Sequence, residues 1–564
     1  MSACPPGLWM MIAGVLAVAL PRGPRRLLLW TAPVLELAHI WILDPGTASA
    51  LAVAGMHLEP LRVDALSRVF GTIFSIAALL SLIYGSYHDD RVEECSGTVY
   101  AGAAIAATFA GDLLTLFIWW EMTAVSSVLL VWRGGTPQAF AAGKRYLLIH
   151  VTSGVLLLWG AVEYWHLTGT LAFDHMQLQM GRAAWLIFLA FGIKACFPLL
   201  HNWLQDAYPR STPAGSVWLS AFSTKLAVYA LARGFAGTDL LIPIGATMTA
   251  FPIFFAVIEN DLRKVLSYSL NNQLGFMLVG IGIGTELSLN GTAAHAFSHI
   301  LYKGLLFMSM GAVLHRTGTV EASRLGGLYK SMPLTAMFCI VGSLSIAGFP
   351  LFSGFISKSM VIDAASNAGL LIPWMVLVFA SAGVMDHSGI KVPFFAFFAH
   401  DQGHRVDEAP RPMLIAMGIT AFLCLAIGVW PQALYAILPY PVEFHPYHLA
   451  HVIKQLELLT FSAIAFGWLY RRGHYPPEIP GVNLDFDWLY RVAIPGMLRP
   501  IRTDVAAAHR WIETRLRAAS RTVWTSLANT FSPQAPFGGV ISLEQGLIWI
   551  CLTVAGVLLL AYSG

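Results

Sequence analysis

Apolar segments alternate with short polar segments along most of the chain. Two stretches, Ser331–Ser357 and Ala364–Met385, carry no charge at all. At a helical rise of about 1.5 Å per residue, each is long enough to cross the roughly 30 Å apolar core of a bilayer. The pattern predicts spans near 7–20, 27–43, 65–86, 97–111, 113–132, 146–165, 183–200, 214–232, 239–257, 265–284, 291–314, 334–352, 369–385, 388–400, 414–437, 456–470 and 540–561. The segment at 388–400 is too short to cross alone and is interpreted as a half-helix.

We therefore expect an all-α polytopic membrane protein with about 14–16 transmembrane helices. The expected organisation is N-terminal helices at 1–96, a charged transmembrane core at 97–400, further helices at 401–470, a polar interfacial segment at 471–538 and a C-terminal anchor helix at 539–564. Within the polar segment, apolar residues recur every three or four positions, which predicts an amphipathic helix for a membrane surface or a partner's flank. These residues are Val505, Ala508, Ile512, Leu516, Ala519, Val523 and Leu527.

The composition supports the membrane class and excludes several others. Of the residues, 57% are hydrophobic and 12% charged, against about 25% charged in soluble domains. A net charge of +3 argues against nucleic acid as a partner. The six cysteines form no C-x-x-C pair, and no glycine-rich nucleotide motif is present. The sequence thus predicts no metal, no cofactor and no catalytic centre of its own.

Basic residues in the short loops indicate the orientation, because they favour the cytoplasmic side. With the N-terminus outside, thirteen of them fall in cytoplasmic loops up to residue 330: Arg22, Arg25, Arg26, Arg91, Arg133, Lys144, Arg145, Arg210, Arg263, Lys264, Arg316, Arg324 and Lys330. Only four fall on the other side: Arg62, Arg68, Arg182 and Arg233. The chain is therefore expected to start outside an inner (plasma) membrane.

The candidate functional residues are the ionisable ones inside apolar spans, namely Glu121, Lys194, Lys225, Lys303 and Lys358. Each costs roughly 2.5–3.5 kcal/mol at a helix centre and so needs a partner or a purpose. Burial in general brings the pKa of lysine and of carboxylates towards neutral pH. A row of such groups can therefore carry protons.

Two histidines extend this row. His295 and His299 lie one turn apart with Lys303 a further turn on, so the three share one helix face. Static ion pairs, snorkelling lysines, histidines that only pack helices together, and a metal held by the two histidines are the alternatives from the residues alone.

At these residues the chain resembles the antiporter-like proton-translocating subunits shared by respiratory complex I and the Mrp multisubunit cation/proton antiporters. The resemblance covers roughly residues 60–400. Its motifs are Trp120-Glu121; Lys194 with His201-Asn202-Trp203-Leu204 and Pro213; Ser220, Lys225, Tyr229 and Arg233; Asp261-Leu262-Arg263-Lys264-Val265-Leu266-Ser267-Tyr268-Ser269 with Gln273 and Gly275; His295, His299 and Lys303; and Gly348-Phe349-Pro350 with Ser353-Gly354-Phe355 and Lys358.

The resemblance implies two inverted five-helix repeats with discontinuous helices. Glu121 and Lys194 would form the interacting pair of the first half-channel, and Lys225 would bridge towards the centre. His295, His299 and Lys303 would line the second half-channel, with Lys358 as its terminal site. The stretches Leu200–Leu204 and Leu484–Arg491 look most like the D-type Mrp subunit. Two features depart from the D-type subunit. The chain extends beyond the last expected core helix, and it has Gln205 where many members of the family have proline.

The function expected from this resemblance is that of an integral subunit of a monovalent cation (Na⁺ or K⁺)/proton antiporter. Its partners would be other integral membrane subunits, the lipid bilayer, protons and Na⁺ or K⁺. Alternatives are the proton-pumping membrane subunit of a complex I-like oxidoreductase or membrane-bound hydrogenase, and the proton channel of an inorganic-carbon uptake complex. A structural membrane scaffold with relic charges is the alternative of a different class.

Overall fold

The computed structural model describes residues 4–53, 55–481, 483–497, 499–531, 548–550 and 552–553. The chain forms two compact units, residues 1–483 and residues 484–564. The helices of the first unit are α1 (Leu8–Ala17), α2 (Arg22–Ile42), α3 (Ala65–Gly85), α4 (Arg91–Thr108), α5 (Leu113–Trp132), α6 (Pro137–Thr168), α7 (Arg182–Lys194), α8 (Asn202–Ala207), α9 (Pro213–Ala221), α10 (Ser223–Gly234), α11 (Leu241–Ile258), α12 (Leu262–Ile283), α13 (Glu286–Thr317), α14 (Pro333–Ala347), α15 (Ser353–Asn367), α16 (Leu371–Val384), α17 (Arg411–Val429), α18 (Gln432–Tyr435) and α19 (Leu449–Arg471).

The expected helical membrane fold is confirmed. Among the described residues, eight helical stretches are long and apolar enough to cross a bilayer. The helices α7 to α10, α14 and α15 are shorter because they are halves of broken spans. One element was not expected: a hairpin of β1 (Ala48–Val53) and β2 (Met56–Arg62) connects α2 to α3.

The expected half-helix at 388–400 is wrong. Helix α16 continues without interruption to Phe398, so the segments at 369–385 and 388–400 form one stretch, Leu371–Phe398. The chain stays helical past Gly389 and Pro393 because it widens into π-helical turns at Met385–Lys391 and Phe394–Phe398. A π-turn absorbs the hydrogen-bond mismatch that would otherwise end an α-helix.

The core contains two similar halves. Helices α6 and α13 both have 32 residues and both end in a His-x-Thr-Gly-Thr motif whose glycine, Gly169 or Gly318, has φ 74°. In both motifs the second threonine amide donates to the hydroxyl of the first. Counting each broken pair as one crossing, five crossings separate equivalent helices. Because five is odd, equivalent helices run in opposite directions, as inverted repeats do.

Each half contains a helix broken at a Phe-Pro-Leu sequence. Helix α7 ends at Lys194 and α8 begins at Asn202, while α14 ends at Ala347 and α15 begins at Ser353. The leucines of the two breaks, Leu199 and Leu351, have φ 72° and 75°. Proline removes a helical hydrogen bond and the left-handed leucine turns the chain, so carbonyl groups near each break become free.

The second unit contains α20 (Ile494–Met497) and α21 (Arg499–Phe531). Helix α21 lies where the apolar periodicity predicts an amphipathic helix, and Ile512, Leu516 and Val523 are exposed. Its role at a membrane surface or on a partner remains a prediction. The anchor expected at 540–561 lies, apart from 548–550 and 552–553, outside the described residues.

Candidate functional site

The first cluster surrounds Lys194, at the end of α7. Its side chain is fully buried, and Nζ donates to the Trp120 carbonyl at 2.6 Å and to Thr123 Oγ1 at 3.1 Å. The ammonium also lies 4.3 Å from the centre of the Trp120 ring. Helices α5 and α7 therefore hold Lys194 through neutral groups, next in sequence to the expected partner, Glu121.

Glu121 lies beside this lysine without an ion pair to it. Its Oε1 is buried and has no hydrogen-bond partner among the described residues. The carboxylate occupies space left by a glycine on α6, since a Cβ at Gly154 would lie 1.7 Å from Oε1. The structure thus places the predicted pair together on facing helices but leaves the carboxylate free to change partner.

Two further predicted lysines also bind main-chain oxygens at helix breaks. Lys225 Nζ donates to the Ser220 carbonyl at 2.6 Å, across the break between α9 and α10. Lys358 Nζ donates to the Ile346 carbonyl at 2.7 Å, across the break between α14 and α15. A lysine held by a neutral carbonyl can bind or release a proton without breaking an ion pair.

The second half of the core holds a hydrogen-bonded row on α12, α13 and α15. His295 Nδ1 lies 3.0 Å from Ser357 Oγ, and its Nε2 lies 3.4 Å from the Tyr302 hydroxyl. The Tyr302 hydroxyl in turn donates to Gln273 Oε1 at 3.2 Å. His295 is thus part of a hydrogen-bonded chain that includes the hydroxyl groups of Ser357 and Tyr302.

His299 and Lys303 complete this row on the same face of α13. Both are fully buried, and neither the His299 ring nitrogens nor Lys303 Nζ has a hydrogen-bond partner among the described residues. Buried polar groups without partners cost free energy unless ordered water satisfies them. We therefore expect water between His299 and Lys303.

A different charged cluster lies in the loop between α3 and α4 and at the start of α4. One ligand atom each from His88, Asp90 and Glu93 lies within 4.8 Å of the others. Arg133 Nη2 lies 2.5 Å from Asp90 Oδ2, and Thr212 Oγ1 donates to Glu93 Oε1 at 2.5 Å, so both carboxylates already have partners. The carboxylates of Asp90 and Glu93 raise the pKa of His88 to about 9. Burial opposes the ionisation of Asp90, but hydrogen bonds from His88, the Glu93 amide and Arg133 lower its pKa to about 2.

The sequence analysis did not identify a buried histidine on α6. His150 on α6 is fully buried and stacks on Tyr146 with ring centres 4.0 Å apart. The same spacing separates Thr168 from Thr317 and His150 from His299, so the two histidines occupy equivalent positions in the halves. The repeated His-x-Thr-Gly-Thr motif would have revealed it.

A buried ion pair was also missed. Lys391, on the first π-turn after α16, lies 2.9 Å from Glu478, which follows α19. Assigning 388–400 to a half-helix and 471–538 to a surface segment left both residues outside the predicted relay.

Comparison with known proteins finds similar chains among the membrane subunits of antiporters. Residues 110–384 match the family model described as NADH:quinone oxidoreductase/Mrp antiporter, transmembrane. The chain is 30% identical over 324 residues to the D subunit of the Na(+)/H(+) antiporter of Alkalihalophilus pseudofirmus, covering 54% of this chain and 65% of that protein. It is 27% identical over 460 residues to the A/B subunit of a probable K(+)/H(+) antiporter of Rhizobium meliloti, covering 74% of this chain and 46% of that protein. The chain thus spans less than two thirds of the length of either relative.

Solved structures share the fold. The Mrp complex of Dietzia sp. contains a chain that superposes with a TM-score of 0.69 at 21% identity, covering 84% of this chain and 98% of that one. A chain of the membrane-bound sulfane sulfur reductase, an archaeal respiratory membrane complex, gives a TM-score of 0.70 at 23% identity and covers 98% of this chain and 99% of that one.

Fold and site together define a polytopic helical membrane protein with titratable groups buried along both halves of an inverted repeat. Over residues 110–384, slightly less than half of its length, the chain is similar to the NADH:quinone oxidoreductase/Mrp antiporter family.

Proposed function

We propose that the chain is an integral membrane subunit of a multisubunit monovalent cation/proton antiporter and conducts protons through its buried lysines and histidines. The relay would run from Glu121 and Lys194, by Lys225, to His295, His299 and Lys303, and end at Lys358. Proton return would drive Na⁺ or K⁺ export. The named relatives, which belong to Na⁺/H⁺ and K⁺/H⁺ antiporters, support this choice of ions.

One observation supports the relay most strongly: its lysines bind neutral acceptors instead of carboxylates. Lys194, Lys225 and Lys358 each donate to a main-chain carbonyl, and Lys303 has no hydrogen-bond partner among the described residues. In a static scaffold, buried charges are expected in closed ion pairs, because an unpaired charge costs several kcal/mol. Uncompensated lysines in a row are instead suited to exchanging protons.

We further propose that other integral membrane subunits complete the complex, since the relatives are named as subunits. The proposed location is the plasma membrane with the N-terminus outside, which the distribution of basic residues supports. The D-type assignment is part of this proposal and rests on the motifs near residues 200–204 and 484–491.

A redox-driven complex is the second candidate. It is favoured by the superposition on the sulfane sulfur reductase chain, which covers 98% of this chain. The buried relay would then also conduct protons, and the redox reaction that drives them would take place on partner subunits.

The test is cation-dependent proton movement in everted vesicles from a host lacking its own antiporters, with the complete gene cluster expressed. Addition of Na⁺ or K⁺ should dissipate a preformed ΔpH, followed with a quenched dye. Glu121→Ala and Lys194→Ala should each abolish the response while the complex still assembles. The matched control is Glu163→Ala, which removes a carboxylate paired with Arg182 at the protein surface.

The outcomes separate the candidates. Loss in both relay variants, with activity kept in Glu163→Ala, supports antiport through this relay. Normal transport by both relay variants would refute the relay. A well-assembled complex without any cation response would favour the redox-driven candidate.

A further inference from the structure

The ion pair of Lys391 and Glu478 lies in a cage of oxygens at one end of the core. Lys391 is fully buried, and its Nζ donates to the carbonyls of Val257 at 2.6 Å and Glu259 at 2.7 Å. The Glu478 carboxylate, 2.9 Å away, is 7% exposed. Lys391 is thus held by the end of α11 and by the segment that follows α19.

This cage connects to the surface through a second ion pair. The Glu259 carboxylate lies 2.7 Å from Lys264 Nζ and accepts a hydrogen bond from Asn483 Nδ2 at 2.8 Å. Lys264 is 26% exposed, so it reaches solvent at the loop between α11 and α12. Charged and polar groups therefore follow one another from this loop to Lys391.

On its inner side, the π-helical turn continues towards the relay. His387 precedes Lys391 by four residues and is fully buried. A π-turn has slightly more than four residues, so His387 and Lys391 share one face of the helix. The next residue, Ser388, donates to Ser269 of α12 at 2.8 Å, one turn before Gln273, which accepts a hydrogen bond from Tyr302, the residue next to Lys303. The widened turn, of a kind often found at functional sites, thus carries a buried imidazole ring next to the cage and contacts the helix α12, which also contacts the relay.

We propose that His387, Lys391 and Glu478 form a proton-release branch that connects Lys303 with the α11–α12 loop. This inference rests on the proposed proton-conducting function and extends it to residues outside the family match at 110–384. Lys391 passes its proton to the Glu478 carboxylate, which releases it at the loop side. A ring nitrogen of His387 then reprotonates Lys391, and Lys303 returns a proton to His387. The titratable groups around the branch are Glu478, Glu259, Asp386, Lys264, Lys303 and Lys358.

The alternative is a static ion pair that only fastens the segment after α19 to the core, and Lys391→Arg distinguishes the two. Arginine keeps the positive charge and can keep the pair with Glu478, but it does not release its proton. A static pair predicts normal transport by Lys391→Arg and recovery in the neutral double variant Lys391→Met with Glu478→Gln. A proton-release branch predicts that both variants fail.

The experiment uses the complete complex in everted vesicles and measures the cation-driven proton flux from pH 6.5 to 9. We expect Lys391→Arg, Glu478→Gln and the double variant to lower the flux at least fivefold and to shift the pH of half-maximal flux. Glu478→Asp, which retains a carboxylate, should recover more than half of it. Asp401→Asn is the matched control, because Asp401 pairs with Lys330 outside the branch, and its pH profile should be unchanged.

Normal flux and an unshifted pH profile in Lys391→Arg would overturn the inference, as would recovery in the double variant. If a variant does not assemble, Lys391→Arg and Glu478→Asp decide, since both keep the charges of the pair. A wild-type complex that moves no protons would instead overturn the proposed function, and with it this extension.

Discussion

Gly154→Ala should slow transport strongly by moving the Glu121 carboxylate. The added Cβ would lie 1.7 Å from Oε1 of Glu121, 2.4 Å from its Cδ and 3.0 Å from its Cγ. Ordinary contact begins near 3.4 Å, so the oxygen must move by about 1.7 Å. Because it is the end of a flexible side chain, this movement is cheap for the fold. Alanine in addition stabilises a helix by about 0.5–1 kcal/mol relative to glycine.

The effect should therefore fall on transport and not on assembly. A misplacement of about 1 Å in a reacting group can cost about 100-fold in rate. We expect a loss of about 10- to 100-fold in cation-driven proton flux, measured in everted vesicles, with the complex recovered in normal amount.

Two further variants make this prediction refutable. Gly304→Ala is the matched control, because it lies in a buried helix beside Lys303 and its Cβ would meet nothing within 4 Å. Glu121→Asp added to Gly154→Ala should restore part of the flux, since the shorter side chain withdraws the carboxylate from the new methyl group. Wild-type flux in Gly154→Ala would show that the position of the Glu121 carboxylate does not matter.

Three other changes test the relay, the charged cluster at His88 and the tail. Lys225→Arg should abolish proton flux in an assembled complex, because arginine keeps its proton, whereas the surface variant Lys144→Arg should transport normally; equal fluxes would contradict a proton-exchanging role. His88→Gln should lower the free energy of unfolding of the purified complex at pH 6 by about 1 kcal/mol or less, because solvent screens these partly exposed charges. Because contacts in the fold raise the pKa of His88 to about 9, from 6.5, this stabilisation is complete below pH 6.5 and lost as the pH rises through 9; an equal loss at pH 6 and pH 10 would refute the assignment. Deletion of residues 500–564 should reduce co-purification of the partner subunits, and undiminished recovery would count against a docking role for the tail.

The sequence alone predicts the class of fold and the location of four buried lysines. Lys194, Lys225 and Lys303 stand out because a charge in an apolar span needs a physical reason, whatever the surrounding structure. The hydrogen-bond partners of these lysines are harder to predict, since they depend on the positions of the helix breaks and on which carbonyl groups are within reach. Nothing in the sequence indicates that Lys194 binds the Trp120 carbonyl and not the Glu121 carboxylate.

The missed residues show where reading one span at a time fails. Lys391 lies between Gly389 and Pro393, two residues that normally end a helix, and only the π-turns keep it inside the membrane stretch. Glu478 lies in a proline-containing polar segment and becomes buried only through tertiary contact with Lys391. His150 carries no formal charge and is recognised only through its repeat partner, His299.

In this fold the helix breaks provide hydrogen-bond acceptors for buried lysines. A continuous helix would occupy the Ser220 and Ile346 carbonyls with its own amides, which would leave Lys225 and Lys358 without these acceptors. A carboxylate in place of each carbonyl would satisfy the lysine more strongly, but releasing the proton would then leave a buried anion unpaired, at a cost of several kcal/mol. The breaks thus provide acceptors strong enough to hold a protonated lysine in an apolar span and weak enough to let the proton go. For this reason we expect substitutions that restore helical continuity at Pro350 to impair proton exchange at Lys358 even though every lysine is retained.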